Sequence, residues 1–229
     1  MKRSFLLATF ISLIMVPAFA QRLAKITLTN NSNVEMISFD LDDKVILNIS
    51  KDGNVINWGV DDYLGYGENY SGRLEKYVGK VEYYGATDNE AYRGKVKYIG
   101  RTAFTYYASY ENDLLKGKIK SIGANTIDYY ANYDDAAIRG YIKTIGQSSF
   151  NWYTSMDNEA YKGKLKNLGP TSLTYYSSFE DKAYKGKIKS IDHTSYTYYS
   201  SLDRREYRGA MKTGNSLLFI NGIKYFVLN

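Results

Sequence analysis

The feature that most constrains this sequence is a glycine that recurs every 23 residues. It stands at Gly94, Gly117, Gly140, Gly163, Gly186 and Gly209. A period of this length is typical of repeat proteins, in which each copy forms one supersecondary unit and neighbouring copies share a core. The copies show no apolar spacing of 3.6 residues, which excludes a helical repeat. The sequence therefore predicts a tandem array built from strands.

Each copy is predicted to form one β-hairpin. In the copy that begins at Tyr184, the first strand is expected at 184–191 and the second at 195–202, because side chains alternate along a strand. A three-residue loop at 192–194 would bring the apolar faces of both strands together, and a one-residue slip would separate them. Earlier copies begin this loop with a glycine, namely Gly100, Gly123, Gly146 or Gly169. A four-residue link between copies completes the period.

This alternation leaves one position unsettled. Ile191 and its equivalents fall on the polar face beside the loop, and a local bulge could turn them inward. The other face is predicted to carry a ladder of apolar side chains, which consists of Phe104, Tyr106 and Tyr110; Ile127, Tyr129 and Tyr133; Phe150, Trp152 and Met156; Leu173, Tyr175 and Phe179. A ladder of this size is expected to be covered by curling of the sheet, by a partner or by a second copy.

The predicted fold is all-β. It is an extended antiparallel meander of tandem hairpins, twisted or partly curled, with N-terminal strands and a C-terminal capping hairpin. The predicted divisions are a signal peptide at 1–20, an N-terminal β lead-in at 21–60, degenerate repeats at 61–91, regular repeats at 92–213 and the capping hairpin at 214–229. Asn221-Gly222 is a strong signal for a two-residue turn in the last hairpin.

The first 20 residues have the pattern of a secretory leader. Lys2 and Arg3 precede a short apolar run, and Ala18-Phe19-Ala20 matches a cleavage site. The apolar run is shorter than the roughly 20 residues that a membrane span requires. We therefore expect an exported protein that is periplasmic, cell-surface or secreted. The sequence has no cysteine, which excludes disulfides, thiolate metal sites and lipid attachment through cysteine.

The repeats resemble MORN repeats, which are β-hairpins of similar length that open with Tyr-x-Gly. The matching openings are Tyr92-Arg-Gly94, Tyr161-Lys-Gly163, Tyr184-Lys-Gly186 and Tyr207-Arg-Gly209. Leu115 and Ile138 replace the tyrosine in two copies, and the second glycine pair of the MORN pattern is absent. The resemblance spans about residues 70–213. It implies a scaffold or interaction module, sometimes associated with lipid, rather than an enzyme.

A candidate ligand face lies opposite the apolar ladder. Its residues are Lys95, Lys97, Lys118, Lys120, Lys143, Lys164, Lys166, Lys187, Lys189, Tyr107, Tyr130, Tyr153, Tyr176 and Tyr199. The alternation of ammonium groups and aromatic rings suits an anionic glycan, which stacks on rings and pairs with lysines. The same pattern is also that of the solvated face of a sheet, which a meander with one apolar face requires. Without the leader the formal net charge falls from +6 to about +4, which permits an anionic glycan or membrane surface as a partner.

The candidate catalytic groups are few and dispersed. His193 is the only histidine and lies in a predicted hairpin loop, whereas a triad needs three groups converging in space. The acidic loops at 111–113, 134–135, 157–159, 180–181 and 203–206 vary in the order of their oxygen ligands, which favours turn formation over calcium binding. We therefore predict no enzyme, no catalytic or metal site, no cofactor and no small-molecule substrate.

Two functions remain open on the sequence alone. The first is a non-catalytic exported β-repeat scaffold that binds a protein partner or a second copy. The alternative is a glycan- or anion-binding module that uses the lysine and tyrosine face. Nucleic acid is not favoured as a partner because the excess of basic residues is small.

Overall fold

The computed structural model describes residues 21–61 and 74–228. The predicted signal peptide and part of the degenerate repeats lie outside the described residues. The described part is almost entirely β-structure, with one short 3-10 helix at Asp42–Lys44. Within it, no helix combines the length and the apolar character that crossing a membrane requires. The all-β meander of hairpins is confirmed, and it forms one of two layers.

The N-terminal layer is a seven-stranded sheet without repeats. It contains β1 (Arg22–Leu28), β2 (Val34–Asp40), β3 (Val45–Ile49), β4 (Val55–Asp61), β5 (Leu74–Glu75) and, from the C-terminus, β19 (Leu217–Ile220) and β20 (Ile223–Val227). Its strand order is β19-β20-β1-β2-β3-β4-β5. Strand β20 pairs parallel with β1, so the end of the chain returns beside its beginning.

The repeat layer is an antiparallel meander. Its strands are β6 (Val81–Tyr83), β7 (Val96–Ile99), β8 (Thr102–Tyr106), β9 (Ile119–Ile122), β10 (Asn125–Tyr129), β11 (Ile142–Ile145), β12 (Ser148–Trp152), β13 (Leu165–Leu168), β14 (Thr171–Tyr175), β15 (Ile188–Ile191) and β16 (Thr194–Ser195). They follow one another in chain order across an eleven-stranded sheet. β17 (Thr197–Tyr198) pairs with β18 (Met211–Thr213) and continues the pattern.

Within each copy the strands are shorter than predicted. From β7 to β14 the first strand of each hairpin has four residues and the second has five, whereas the second strand of the last hairpin is divided into β16 and β17. The Tyr-x-Gly segment lies in the long turn between copies. The predicted three-residue loop is wrong, because Ile191 pairs with Thr194 across a two-residue loop. Gly169 and Asp192 begin such loops with φ of 53° and 50°, the left-handed region that tight hairpin turns require.

A β-bulge in every copy resolves the position of Ile191. Thr174 faces Ser190 while Tyr175 faces Ile188, so Lys189 is an extra residue on its strand. The same shift recurs at Lys97, Lys120, Lys143, Lys166 and Lys212. Because one residue is inserted between them, the apolar residues at both ends of the four-residue strand point inward. Ile188 and Ile191 are both fully buried.

The two layers share one hydrophobic core. Ile26, Ile37 and Phe39 of the N-terminal layer and Ile119 and Phe150 of the repeat layer are at most 1% exposed and belong to the same cluster. Backbone bonds also cross between the layers, since Ile142 N–H donates to the Lys51 carbonyl at 2.8 Å and Ile188 N–H donates to Ser32 Oγ at 2.7 Å. The predicted apolar face is therefore covered by the chain's own N-terminal layer.

The C-terminal hairpin is partly buried. Ile220 pairs with Ile223 across the Asn221-Gly222 turn, as the sequence predicts. Tyr225 and Val227 are buried against β1, whereas Leu217 and Phe219 on the edge strand β19 are 56% and 71% exposed. The hairpin thus extends the N-terminal layer.

Candidate functional site: the outer face and the turn edge of the repeat layer

The predicted ligand face divides into two rows of lysines. The bulge residues form what we call the outer lysine row. It contains the predicted Lys97, Lys120, Lys143, Lys166 and Lys189, together with Lys212, which the prediction did not include. The second set, the inner lysine row, is Lys95, Lys118, Lys164 and Lys187. The sequence placed both rows on one solvent face, and this is wrong. The inner lysines follow the turn glycine and point to the neighbouring copy and the N-terminal layer.

The inner lysine row connects adjacent copies. Each ammonium group donates to the carbonyl of the turn glycine 22 residues later, as in Lys118 Nζ to Gly140 O at 2.6 Å and Lys187 Nζ to Gly209 O at 2.6 Å. Lys164 and Lys187 also reach Asn31 and Asn30 of the N-terminal layer. Burial lowers the pKa of Lys164 to about 8, and the nearby Lys187 and Lys51 charges contribute. These lysines are structural residues of the layer interface.

The outer lysine row lies above the second tyrosine of each copy. The Lys–Tyr pairs are 97–84, 120–107, 143–130, 166–153, 189–176 and 212–199, and each ammonium group stands 5.1–5.7 Å from its ring centroid. These distances are those of cation–π contacts. One face of each predicted ligand-binding ring is thus occupied by a lysine of the same chain.

The tyrosines that lie beneath the outer lysine row also donate hydrogen bonds to the next copy. The hydroxyl of Tyr130 donates to the Phe150 carbonyl at 3.0 Å, and that of Tyr176 donates to the Tyr196 carbonyl at 2.8 Å, each in the next copy. Burial raises the pKa of Tyr130 and of Tyr176. The rings are therefore held rigidly and present an edge and a lysine to solvent.

A ladder of small polar side chains runs beside the lysines, and it was not predicted from the sequence. Thr105 and Ser121 hydroxyls lie 2.6 Å apart, Thr144 donates to Asp128 at 3.2 Å, Thr174 and Ser190 lie 2.7 Å apart, and Thr197 and Thr213 lie 2.6 Å apart. The 23-residue period contains this signal, since one member of each of the four pairs stands at 105, 128, 174 and 197, and Asn151 holds the equivalent position in the copy between. The outer face is thus a regular polar array.

The long turns that link the copies lie along one edge of the repeat layer, which we call the turn edge. At the tip of each turn an acidic side chain accepts a backbone N–H three residues earlier, as in Asp157 Oδ2 with Thr154 N and Asp203 Oδ2 with Ser200 N, both at 2.6 Å. The next polar residue binds the following copy, since Asp181 Oδ1 accepts the Ser201 N–H at 3.0 Å. The acidic loops therefore stabilise the turns.

Hydrogen bonds to these turn carboxylates also favour their ionised form. Ser155 donates to Asp135 and lowers its pKa, and the Ala183 N–H lowers the pKa of Asp181. Among the described residues, no group of three or more His, Asp or Glu side chains is placed to hold a metal ion. His193 is 98% exposed in its loop, with Nε2 3.7 Å from Asp192 Oδ2.

One set of residues that was predicted to lie in the core lies at the turn edge instead. Tyr110, Tyr133, Met156 and Phe179 were predicted to face inward, and the structure places them at the turn tips. They are 84%, 90%, 93% and 93% exposed, and Leu202 at the next equivalent position is 93% exposed. The prediction was wrong because it continued the strand alternation into a segment that has left the sheet. We call these five residues the turn-tip row.

A comparison with protein families matches the repeats. The model described as "BspA type Leucine rich repeat region" matches residues 86–205 in six copies, slightly more than half of the chain. This agrees with a β-repeat protein, while the MORN resemblance stays a prediction. None of the curated proteins and none of the solved structures matches the chain.

Proposed function

Because the chain belongs to the BspA-type leucine-rich repeat family, we propose that it is an exported, non-catalytic scaffold that binds other proteins through its repeat layer. One observation carries this proposal. The same exposed side chains stand at equivalent positions in successive copies, at a spacing of about 10 Å for two strands. Repeat proteins use such extended, regular surfaces for binding.

The outer face is the surface we assign to the partner. It is regular and polar, and its lysines and tyrosines are already held by cation–π contacts and hydrogen bonds within the chain. A partner that binds there orders few additional side chains, so less conformational entropy opposes binding. The polar groups are spread along a line instead of converging on one point, which supports binding over acid–base catalysis.

Export rests on the sequence of the first 20 residues, together with the family. BspA-type repeat proteins are typically surface or secreted bacterial proteins. We propose an extracytoplasmic location on these grounds.

Photo-crosslinking in the producing cell tests the scaffold proposal. A photoreactive amino acid at Lys143 on the outer face should form a discrete crosslinked product with another protein. The matched control is Asn57, an exposed strand position of the N-terminal layer. A product at the control but not at Lys143, or products of equal yield at both, would contradict the assignment of the repeat layer as the binding surface.

A second candidate function is binding of an anionic glycan, and the outer lysine row favours it. Its ammonium groups form a line with a constant spacing of about 10 Å, which fits a linear polyanion with regularly spaced acidic groups. Lys120 and Lys189 form ion pairs with Glu111 and Glu180 at 2.5 Å and 3.5 Å. Exposed ion pairs are weak, so an acidic group of a glycan can replace these glutamates.

The glycan candidate has a charge-matched test. Replacing Lys97, Lys120, Lys143 and Lys166 by serine should abolish retention on an anionic polysaccharide resin. Replacing the exposed turn-edge residues Lys116, Arg139, Lys162 and Lys185 by serine removes the same charge from another surface. Equal loss in both variants would indicate attraction by net charge alone, and full retention of the first variant would exclude glycan binding by the outer face.

A further inference from the structure

The turn-tip row has no structural role within the chain. Each of its five side chains is at least 84% exposed, although the turns that carry them are rigid. Ala108 N–H donates to Glu111 Oε2 and Ser177 N–H donates to Glu180 Oε2 across the tips, at 2.6 Å and 2.7 Å. Single exposed apolar residues are common on protein surfaces. Five large ones at the same position of five consecutive copies form a continuous feature roughly 40 Å long at two strands per copy.

The area of this row matches one side of a standard protein interface. Large side chains of this kind bury about 150–250 Å² each, so that the five together would bury on the order of 800 Å². A standard interface buries about 800 Å² on each partner. The turn-tip row is thus large enough to hold a stable dimer if its partner is equally apolar.

The charges beside the row change sign along it. The exposed position three residues after each apolar tip is Asp113, Ala136, Glu159, Lys182 and Arg205 in successive copies. At this exposed position the charge is acidic in the first and central copies and basic in the last two. The residue directly after each tip is acidic in all five copies, and its carboxylate accepts a backbone N–H within the turn, as in Glu180 and Asp203. In an antiparallel pair, Asp113 lies opposite Arg205 and Ala136 lies opposite Lys182, while Glu159 at the centre meets its own counterpart. A parallel arrangement would oppose like charges at every charged position.

We propose that the turn edge is a self-association surface, on which a second copy of this chain packs antiparallel through a two-fold axis near Met156. A two-fold interface uses the same patch on both subunits. Met156 then lies close to its own counterpart, and the aromatic tips Tyr133 and Phe179 approach each other. The outer face remains open in this dimer, so the inference does not depend on the partner proposed for that face.

The mass of the purified protein in solution tests self-association. Analytical ultracentrifugation over a wide concentration range should show a dimer. Replacing Tyr110, Tyr133, Met156, Phe179 and Leu202 by serine should give a monomer with an unchanged circular dichroism spectrum. The outer-row variant of Lys97, Lys120, Lys143 and Lys166 is the matched control and should remain dimeric. A monomeric parent protein, or a dimer that survives removal of the tips, overturns the proposal.

Charge reversal tests whether charged residues along the turn edges of two copies pair with each other. Lys182→Glu with Arg205→Glu gives an acidic edge, and Asp113→Lys with Glu159→Lys gives a basic edge. Each variant alone should dimerise at least tenfold more weakly than the parent, and an equimolar mixture should restore dimerisation. Homodimers of unchanged strength, or a mixture that stays monomeric, would contradict the predicted pairing of charges.

The relative orientation of the two subunits can be measured with spin labels on introduced cysteines, because the chain has no cysteine of its own. Spin labels on Asp113→Cys should be separated by at least roughly 40 Å across an antiparallel dimer, and labels on Glu159→Cys should be much closer. Equal short distances at both positions would show a parallel pair and overturn the arrangement.

Other occupants of the turn edge are distinguished by the same variants. If the protein is monomeric and binds vesicles of anionic phospholipid through the turn-tip row, the edge belongs to a membrane surface and self-association is wrong. Crosslinking at Lys143 tests the scaffold proposal independently. A failure to crosslink there would contradict the proposed scaffold function but not the proposed dimer.

Discussion

The two layers of this protein bury equally apolar faces but encode them differently. The repeat layer obtains its face from one pattern copied every 23 residues, with an aliphatic residue at both ends of each four-residue first strand and an aromatic residue at the end of each second strand. The N-terminal layer uses an aperiodic sequence, yet Ile37, Phe39 and Leu47 are as deeply buried as Ile119 or Phe150. The periodic layer supplies a regular surface, and the aperiodic layer covers it.

This difference determines which surfaces remain for function. Because the N-terminal layer covers the apolar face, a partner can contact the repeats on the outer face or at the turn edge. The layers also share backbone hydrogen bonds, such as Ile119 N–H to the Gly53 carbonyl at 3.2 Å. We therefore expect the layers to unfold together, and the following predictions test that expectation in order of decreasing effect.

The largest effect is expected from core truncation in either layer. Phe39→Ala and Phe150→Ala should each lower the free energy of unfolding by about 3–5 kcal/mol, because each ring is fully buried and leaves a cavity. The chain has two tryptophans, Trp58 in the N-terminal layer and Trp152 in the repeat layer. In denaturant titrations, Trp58→Phe and Trp152→Phe backgrounds should report the same transition for each alanine variant. Two separate transitions would show that the layers are independent.

The turn glycines give a matched pair of substitutions. At Gly186 the φ is +77° and an added Cβ would lie 2.6 Å from the Ala160 carbonyl oxygen of the preceding copy, whereas at Gly94 the φ is +76° and no atom lies within 4 Å. Gly94→Ala should cost about 1–2 kcal/mol for the left-handed backbone alone. Gly186→Ala should cost more, about 3 kcal/mol, since a backbone contact must also be relieved. Equal losses in thermal unfolding would contradict the close packing of successive turns.

The buried inner lysine predicts a dependence of stability on pH. Lys164 loses its proton near pH 8 in the folded chain but near its ordinary pKa of 10.5 when unfolded. Between these values the unfolded chain binds more protons at this lysine, so its contribution to the free energy of unfolding should rise as the pH rises from 8 to 9, below the range in which the tyrosines of the unfolded chain ionise. Lys164→Met should reduce that rise, while the exposed Lys166→Met should not. An identical change in melting temperature over this range in the parent protein and in Lys164→Met would contradict the burial of Lys164.

The smallest effect on stability is expected at the turn edge. Met156→Ser should change the free energy of unfolding by less than about 0.5 kcal/mol, because a side chain that is 93% exposed makes few contacts to lose. Denaturant unfolding measures this change at a protein concentration low enough for the protein to be monomeric. A loss comparable to that of Phe150→Ala would place Met156 in the core after all.

The sequence predicted the hairpin repeats, their antiparallel pairing and the Asn221-Gly222 turn, because alternation and turn chemistry are local. It did not predict the two-residue loops or the bulges. A 23-residue period fixes the sum of strand and loop lengths, and two strands of eight satisfy it as well as strands of four and five with a long turn. The inner lysines were misplaced for the same reason, since Lys187 follows a left-handed glycine that ends the alternation.

The packing of the N-terminal layer on the repeats could not be predicted from the sequence pattern either. Residues 22–49 show strands in the sequence, but no periodic signal links Ser32 to Ile188 or Lys51 to Ile142. Such contacts join positions more than 90 residues apart and depend on the packing of two complete sheets. The turn-tip row was visible as a period, and only the structure shows that it faces solvent.

Amide hydrogen exchange at Ile188 tests the two-layer arrangement most directly. Its N–H donates to the buried Ser32 Oγ across the interface, so exchange should be slow in the parent protein and faster in Ser32→Ala. Slow exchange that is unchanged in Ser32→Ala, or fast exchange at Ile188 in the folded parent protein, would contradict the packing of the N-terminal layer on the repeats.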